Sequence, residues 1–271
     1  MDVAAADFGT LLRHWRRHRA LTQEALALDA GVSTRHLSWL ETGRALPSRA
    51  MLLRLSERLD VPLRERNRWL RAAGMAAMYP EHALSAPALD TVRAVLQHLL
   101  DAHDPWPALA VDRHWNLVAA NAAVGRLLAR LLPGRTLPQP LNVLRLSLSP
   151  EGLGPFVQGL AAWQAHVLAR LQRQIDTTGD GTLVRLRAEL QALPVPADDT
   201  PPIGADAVVI PLSLRTPDGP LHFVSTVTVF GAPHDVTTAE LAVETLLPAD
   251  PASAALLRRW QAEDAPTPVS P

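Results

Sequence analysis

The chain has 271 residues, 48% of them hydrophobic and 20% charged, which allows two ordinary domains with packed cores and argues against wholesale disorder. It has no cysteine, which excludes disulfides and any cysteine-ligated zinc or iron–sulfur centre. The net charge of −1 conceals an asymmetry: residues 1–80 carry 13 Arg against 8 acidic residues, a balance of +5, and residues 81–271 carry −6. A basic segment joined to an acidic remainder suggests a polyanion-facing module attached to something else. The N-terminus lacks a basic-then-apolar leader, and no apolar run approaches the roughly 18–20 residues of a membrane span, so no membrane partner and a cytoplasmic setting are expected.

In chain order, the first 75 residues read as five short helices. Phe8, Leu11, Leu12 and Trp15 recur at the i, i+3, i+4, i+7 spacing of one buried helical face. Thr22 is a natural N-cap for a second helix ending near Gly31, and Ser33 for a third running through Glu41, with Gly43 just beyond. Ser48 caps a fourth, whose Met51, Leu52, Leu55 and Leu59 form an apolar stripe. Pro62 suits the opening turn of a fifth, which buries Leu63, Trp69 and Leu70 and stops at Gly74. Residues 75–90 contain Pro80 and Pro87 and lose periodicity, so the expected organisation is a domain over 1–75, a linker over 76–90 and a second domain over 91–262.

A helix is expected over Ala88–Ala102, then two short strands, Ala108–Val111 and Trp115–Ala119, around a turn at Asp112-Arg113. Residues 151–193 read as helical apart from the turn-rich Thr177-Thr178-Gly179-Asp180-Gly181. Residues 194–206 form a Pro/Asp-rich loop. Val208–Arg215 and Leu221–Phe230 read as a β-hairpin across Pro217-Asp218-Gly219. Ala239–Leu247 is assigned as a further strand against its helix propensity, and residues 263–271 as a disordered, Pro-rich tail. The fold class is therefore multi-domain: an all-α five-helix unit followed by an α+β domain with an antiparallel sheet.

Two short helices meeting at Gly31 need a residue that tolerates the turn, and Ala25, Leu26, Val32, Leu37 and Leu40 fall where the pair must bury side chains. The stretch LTQEALALDAGVSTRHLSWLETGR resembles the xenobiotic-response-element (Cro/repressor) family of helix-turn-helix regulators, over roughly residues 8–72. The resemblance implies a double-stranded DNA operator as partner, with the helix beginning at Thr34 in the major groove. Thr34, Arg35, Ser38 and Trp39 are then the base-reading face. Arg35 suits bidentate bonding to guanine O6 and N7, and Trp39 either touches a thymine methyl or packs on the bundle. Gln23, at a helix start, is placed beside a phosphate, and Arg44 and Arg49 hold the backbone on the far side. A lone module of this kind binds weakly, so a homodimer on half-sites roughly 34 Å apart is expected. The competing reading is a helical bundle with solvated arginines and no role at DNA.

In the remainder, DPWPALAVDRHWNLVAANAA, NVLRLSLSPEGLGPFVQGLAAW and PLHFVSTVTVFGAPHDVTTAELAVETLLPAD resemble, in that order, the MmyB-like ligand-binding domain of bacterial regulators over about residues 88–258. That resemblance implies a PAS-like sensor, an antiparallel sheet with helices over one face, and a pocket for a small lipophilic ligand such as a fatty acid. Strand Phe223–Phe230 mixes apolar bulk with isolated hydroxyls, as a greasy pocket with a few orienting polar groups requires. Asn121, Arg145, Trp163, His166, Thr226 and Thr228 are the candidate ligand contacts. Each also has a structural reading: Arg145 either pairs with a ligand carboxylate or makes an internal salt bridge, Trp163 either walls a pocket or fills the core, and the threonines are good strand formers.

No cofactor, metal or enzyme activity is expected. His14 and His18 stand at i, i+4 without a supporting carboxylate, Gly179-Asp180-Gly181 lacks the further glycine of a dinucleotide loop, and hydrolase and phosphate-loop motifs are missing. The leading expectation is a ligand-modulated DNA-binding transcriptional regulator. The alternative is a second domain acting as a ligand-free dimerisation or partner platform.

Overall fold

The computed structural model describes residues 7–195 and 210–264. They form two compact units: one comprises residues up to Ala83 with Asp176–Gly179 and Ala232–Ala239, and the other Leu84–Ile175, Asp180–Gly231 and the residues from Glu240 onward.

The first unit holds α1 (Phe8–His18), α2 (Gln23–Asp29), α3 (Thr34–Glu41), α4 (Arg49–Arg58) and α5 (Leu63–Ala72). Their boundaries follow from local chemistry. Thr22, Ser33 and Ser48 accept from the backbone N–H three residues on, at 3.0, 3.1 and 3.2 Å, and so satisfy one orphan donor each. At the other end, α2 closes with Val32 N–H on the Ala27 carbonyl and Gly31 N–H on Leu28, and α3 closes likewise with Arg44 on Trp39 and Gly43 on Leu40. Gly31 and Gly43 take φ of +65° and +71° to do so, while Ala20 and Asp60 adopt φ of +53° and +46° at the ends of α1 and α4 despite their Cβ atoms.

The core of this unit runs from Phe8, Leu11, Leu12 and Trp15 through Leu26, Leu37 and Leu40 to Leu52, Leu55, Trp69 and Leu70. Met51 and Leu63, expected inside, are half-buried at its rim. Gly9 lets α1 approach the end of α3, since a Cβ there would stand 2.5 Å from the Leu40 carbonyl oxygen. Buried Asn67 folds the chain after α5 back onto it, accepting from Met78 and Tyr79 N–H at 3.0 Å and donating to the Tyr79 carbonyl at 2.6 Å. Asp235 joins the same unit through His82, whose ring nitrogen lies 2.8 Å from its carboxylate.

The second unit opens with a 3-10 turn at Pro87–Leu89 and α6 (Asp90–Asp101), then β1 (Ala108–Val111), β2 (Leu117–Ala120), α7 (Ala122–Leu131), α8 (Val143–Leu148), β3 (Val157–Gln158), α9 (Leu160–Thr178) and α10 (Gly181–Gln191). It continues with β4 (Leu212–Thr216) and β5 (Gly219–Val229) and, after the turn α11 (Val236–Ala239) that belongs to the first unit, with β6 (Ala242–Pro248) and α12 (Pro251–Asp264). The six strands make one antiparallel sheet in the order β2-β1-β6-β5-β4-β3. Trp163, Val167 and Leu171 of α9, Leu186 and Leu190 of α10 and Leu257 and Trp260 of α12 pack with Leu214, Leu221, Phe223 and Leu246 of the sheet. Leu96 and Leu100 of α6 instead pack on Ala108, Ala110 and Val243, residues of the opposite strand parity. Helices thus cover both faces, not one.

Several expected boundaries move. Trp115 has φ of +68° and belongs to the turn, where Asp112 Oδ1 accepts from His114 and Asn116 N–H at 2.8 and 2.9 Å, so β2 begins at Leu117. Residues 151–159 are not helical; they contain a 3-10 turn at Gly154–Phe156 and the short β3. β5 starts at Gly219, leaving a two-residue loop, Pro217-Asp218, closed by Thr216. Residues 236–239 are a helical turn, and β6 begins only at Ala242. α12 extends to Asp264, two residues into the stretch expected to be disordered, because Leu256, Leu257 and Trp260 anchor its buried side. Val208 and Val209 of the expected hairpin, residues 196–206 of the expected loop and residues 265–271 of the tail lie outside the described residues.

Candidate DNA interface and ligand-binding domain

α3 is amphipathic in a way that separates two tasks. Leu37, Leu40 and Glu41 are buried, whereas Thr34, Arg35 and Trp39 are exposed and Ser38 is half-buried. Glu41 anchors the helix. Arg16 grips it through both carboxylate oxygens, Nε to Oε1 at 2.5 Å and Nη2 to Oε2 at 2.9 Å, while Arg13 Nη2 donates to its backbone carbonyl at 2.6 Å. Gln23 Nε2 donates to Oε2 at 2.8 Å, so the residue expected beside a phosphate also ties α2 to α3. Burial opposes ionisation of Glu41, but the bonds from Arg16 and Gln23 and the nearby Arg13 charge outweigh it and hold the carboxyl below its usual range.

On the outer face, the Arg35 guanidinium lies 4.6 Å over the Trp39 indole. Arg44, just past the end of α3, is exposed, and exposed Arg49 makes a long bond of 3.4 Å to the Ala76 carbonyl. Glu41 and Arg16 were missed by sequence reasoning. The signal was there: each continues an apolar stripe, Leu37–Leu40–Glu41 and Leu12–Trp15–Arg16, where a solvated charge does not belong.

The ligand candidates of the second unit do not converge on one place. Asn121 caps α7 and spends its amide on the protein: Oδ1 accepts from Ala108 N–H at 3.1 Å and Val124 N–H at 3.3 Å, and Nδ2 donates to the Leu100 and Trp106 carbonyls at 3.1 and 2.9 Å. Arg145 forms a bidentate pair with Glu189 at 2.6 and 2.7 Å on the surface. Pairing of Thr226 with Thr245 and of Thr228 with Val243 puts both threonines on the face opposite Phe223, exposed.

Trp163 and His166 are brought together. Their rings stack on α9 at 5.3 Å, and the buried Trp163 Nε1–H has no acceptor among the described residues. Beside them, Arg170 pairs with Glu244 at 2.8 Å and lies 4.3 Å over Trp115, and Ser225 donates to the same Glu244 oxygen at 2.5 Å. Burial, then the charges of Arg170 and Arg173, lower the His166 pKa against a weaker pull from Glu244. The register puts Val227 opposite Glu244, so Ser225, Val227 and Val229 share the face of Phe223. Phe223 is fully buried, but Val227 and Val229 are 47% and 62% exposed, an apolar strip open to solvent beside the Arg170–Glu244 ion pair. Arg170, Glu244 and Ser225 were not expected as site residues; Glu244, a charge inside a strand otherwise apolar, was the legible signal.

Among the described residues no His/Asp/Glu group could hold a metal ion, and no helix is long and apolar enough to cross a membrane. No curated protein matches the chain. A solved structure titled "Structure of an RNA-binding Light-Oxygen-Voltage Receptor" matches over 96% of this chain at 15% identity with a TM-score of 0.26, too low to carry an argument, and the chain spans 64% of that one. Two family models match: a helix-turn-helix domain over residues 7–69 and the MmyB-like transcription regulator ligand binding domain over residues 92–259. With a helix-turn-helix unit ahead of a domain built on a six-stranded antiparallel sheet, the chain belongs to the family of MmyB-like transcription regulators with a ligand-binding domain.

Proposed function

We propose that the chain is a sequence-specific, one-component DNA-binding regulator that acts as a homodimer and whose second domain binds a lipophilic anion of the fatty-acid class. The observation that carries the DNA half is the division of labour on α3, with Glu41 locked inside, Thr34, Arg35 and Trp39 presented outside and Ser38 half-buried between them. In this reading these four face the bases, and Gln23, Arg44 and Arg49 hold phosphates. Phosphate holders give affinity that falls steeply with salt whatever the sequence, whereas the α3 face sets preference. Gel-shift titration on random and selected duplexes separates the two: Arg44→Ala should weaken both alike, and Arg35→Ala should narrow the gap between them.

For the ligand half, the supporting observation is the open Val227–Val229 strip, with Val227 opposite the Glu244 that pairs with Arg170. An acyl chain would cover the valines, with its carboxylate toward Arg170, which already pairs with Glu244, and toward Trp163 Nε1–H, which has no acceptor among the described residues. The domain bounds proposed are 1–75 and 91–262, with 76–90 between them. Regulation requires that the ligand favour one dimer geometry by some free energy. Native mass spectrometry after mild purification, followed by addition of laurate, tests this: retained or added acyl anion with a shift in DNA affinity supports it. The same exposed valines favour a second reading, a protein-contact platform at this end of the sheet. Laurate binding without effect, and dimer loss on Val229→Asp, would select the platform.

A further inference from the structure

α3 presents its outward arginine already seated over an aromatic ring. Arg35 and Trp39 are one helical turn apart, the guanidinium carbon is 4.6 Å from the indole centroid, and both side chains are exposed. Arg35 has no hydrogen-bond or ionic partner among the described residues, so its only specific contact is the indole face. The base of that indole is itself fixed. The Trp39 carbonyl accepts from Arg44 N–H at 2.9 Å and Ala45 N–H at 3.2 Å, which locks the last turn of α3 around it.

A guanidinium held over a ring face by cation–π attraction spends none of its five N–H donors on a hydrogen bond. All five therefore remain available for bidentate bonding to guanine O6 and N7. An exposed arginine without such a platform must surrender most of its rotamer freedom on binding; here part of that ordering exists before DNA arrives. We infer that Trp39 is a positioning residue for Arg35, and that the two form one reading unit for a guanine in the major groove. The inference rests on the proposal that α3 reads bases, and it replaces an independent thymine contact by Trp39 with action through Arg35.

The test is the base preference of the full chain on an operator obtained by selection from random duplexes. For wild type, Arg35→Ala, Trp39→Ala, Trp39→Phe and the double alanine variant, the readout is the ratio of affinities for the operator and for the operator with its guanine replaced. A ratio is blind to uniform weakening of binding. Wild type should prefer guanine by roughly ten- to hundredfold. Trp39→Ala should lose most of that ratio, Trp39→Phe should keep most of it because the phenyl ring retains a π face, and the double variant should match Arg35→Ala alone. If Arg35→Ala loses the preference but Trp39→Ala keeps it, or if the two losses multiply, the pairing is wrong while base reading by α3 stands. If Arg35→Ala keeps the preference, the assignment of Arg35 falls and the pairing with it.

Discussion

The first unit closes each helix with groups a few residues away, whereas the second holds its sheet together by pairing β1 with β6 and by burying single asparagines between distant segments. Thr22, Ser33 and Ser48 start helices, and Gly31, Gly43 and Gly74 end them; all of this is short-range. In the second unit Asn121 ties β1, α6 and α7, and Asn142 ties α8 to the His114 carbonyl. What the units share is a polar residue on an apolar stripe, Glu41 in one and Asn121 in the other, fully bonded and buried. The comparison teaches that a few saturated polar nodes fix the register of elements whose apolar contacts are individually interchangeable.

That comparison can be broken at its nodes. The largest effect is expected for Glu41→Gln, which leaves Arg16 buried without its counter-charge and should cost the first unit about 3–5 kcal/mol. Hydrogen exchange of α1–α3 in the full chain reads it. The native pKa of Glu41 is below its unfolded value, so its stabilisation is present above the unfolded pKa and is lost as pH falls through the native one. Acid should therefore loosen wild-type α1–α3 more steeply than the variant. Next, Asn121→Ala removes the side-chain partner of the Ala108 N–H and of the Trp106 carbonyl, while the Leu100 carbonyl keeps the His103 N–H, and should cost about 2–3 kcal/mol, with lost exchange protection in β1 and α7. If either node proves replaceable within about 0.5 kcal/mol, the parallel between the units fails.

Arg35→Ala contrasts with both: a cost of about 1–3 kcal/mol on operator binding with fold stability unchanged within about 0.5 kcal/mol, read by fluorescence anisotropy and urea unfolding. The smallest change sharpens the local side of the comparison. Ala20→Gly relieves a positive φ at the end of α1 and should stabilise the first unit by up to about 1 kcal/mol in urea unfolding.

Legibility followed the same divide. All five helices of the first unit could be drawn from caps, glycines and 3.6-residue periodicity, and the Pro217-Asp218 hairpin from its turn residues, because those signals sit beside what they specify. β3 could not, since two residues paired to β4 carry no pattern of their own. α7 and α8 start at Asn121 and Asn142, local caps on Val124 and Arg145 N–H of the kind read in the first unit; what the sequence hides is the distant use of their amide N–H groups, on the Trp106 and His114 carbonyls. The outer face of α3 was drawn residue by residue from the sequence; its inner lock to Arg16 was not, because it joins positions 25 residues apart. In the second domain, Trp163 and His166 were singled out; Arg170, one turn further along α9, was within reach of the same reasoning, but Glu244 of β6 and Ser225 of β5 are brought to it only by tertiary folding.

The most direct measurement is selection of bound duplexes from a random pool by the full chain, followed by sequencing. Enrichment of a guanine-containing motif, repeated in two half-sites with centres about 10–10.5 base pairs apart, is the predicted result for a homodimer reading DNA through α3. A bound pool indistinguishable from the input would contradict it.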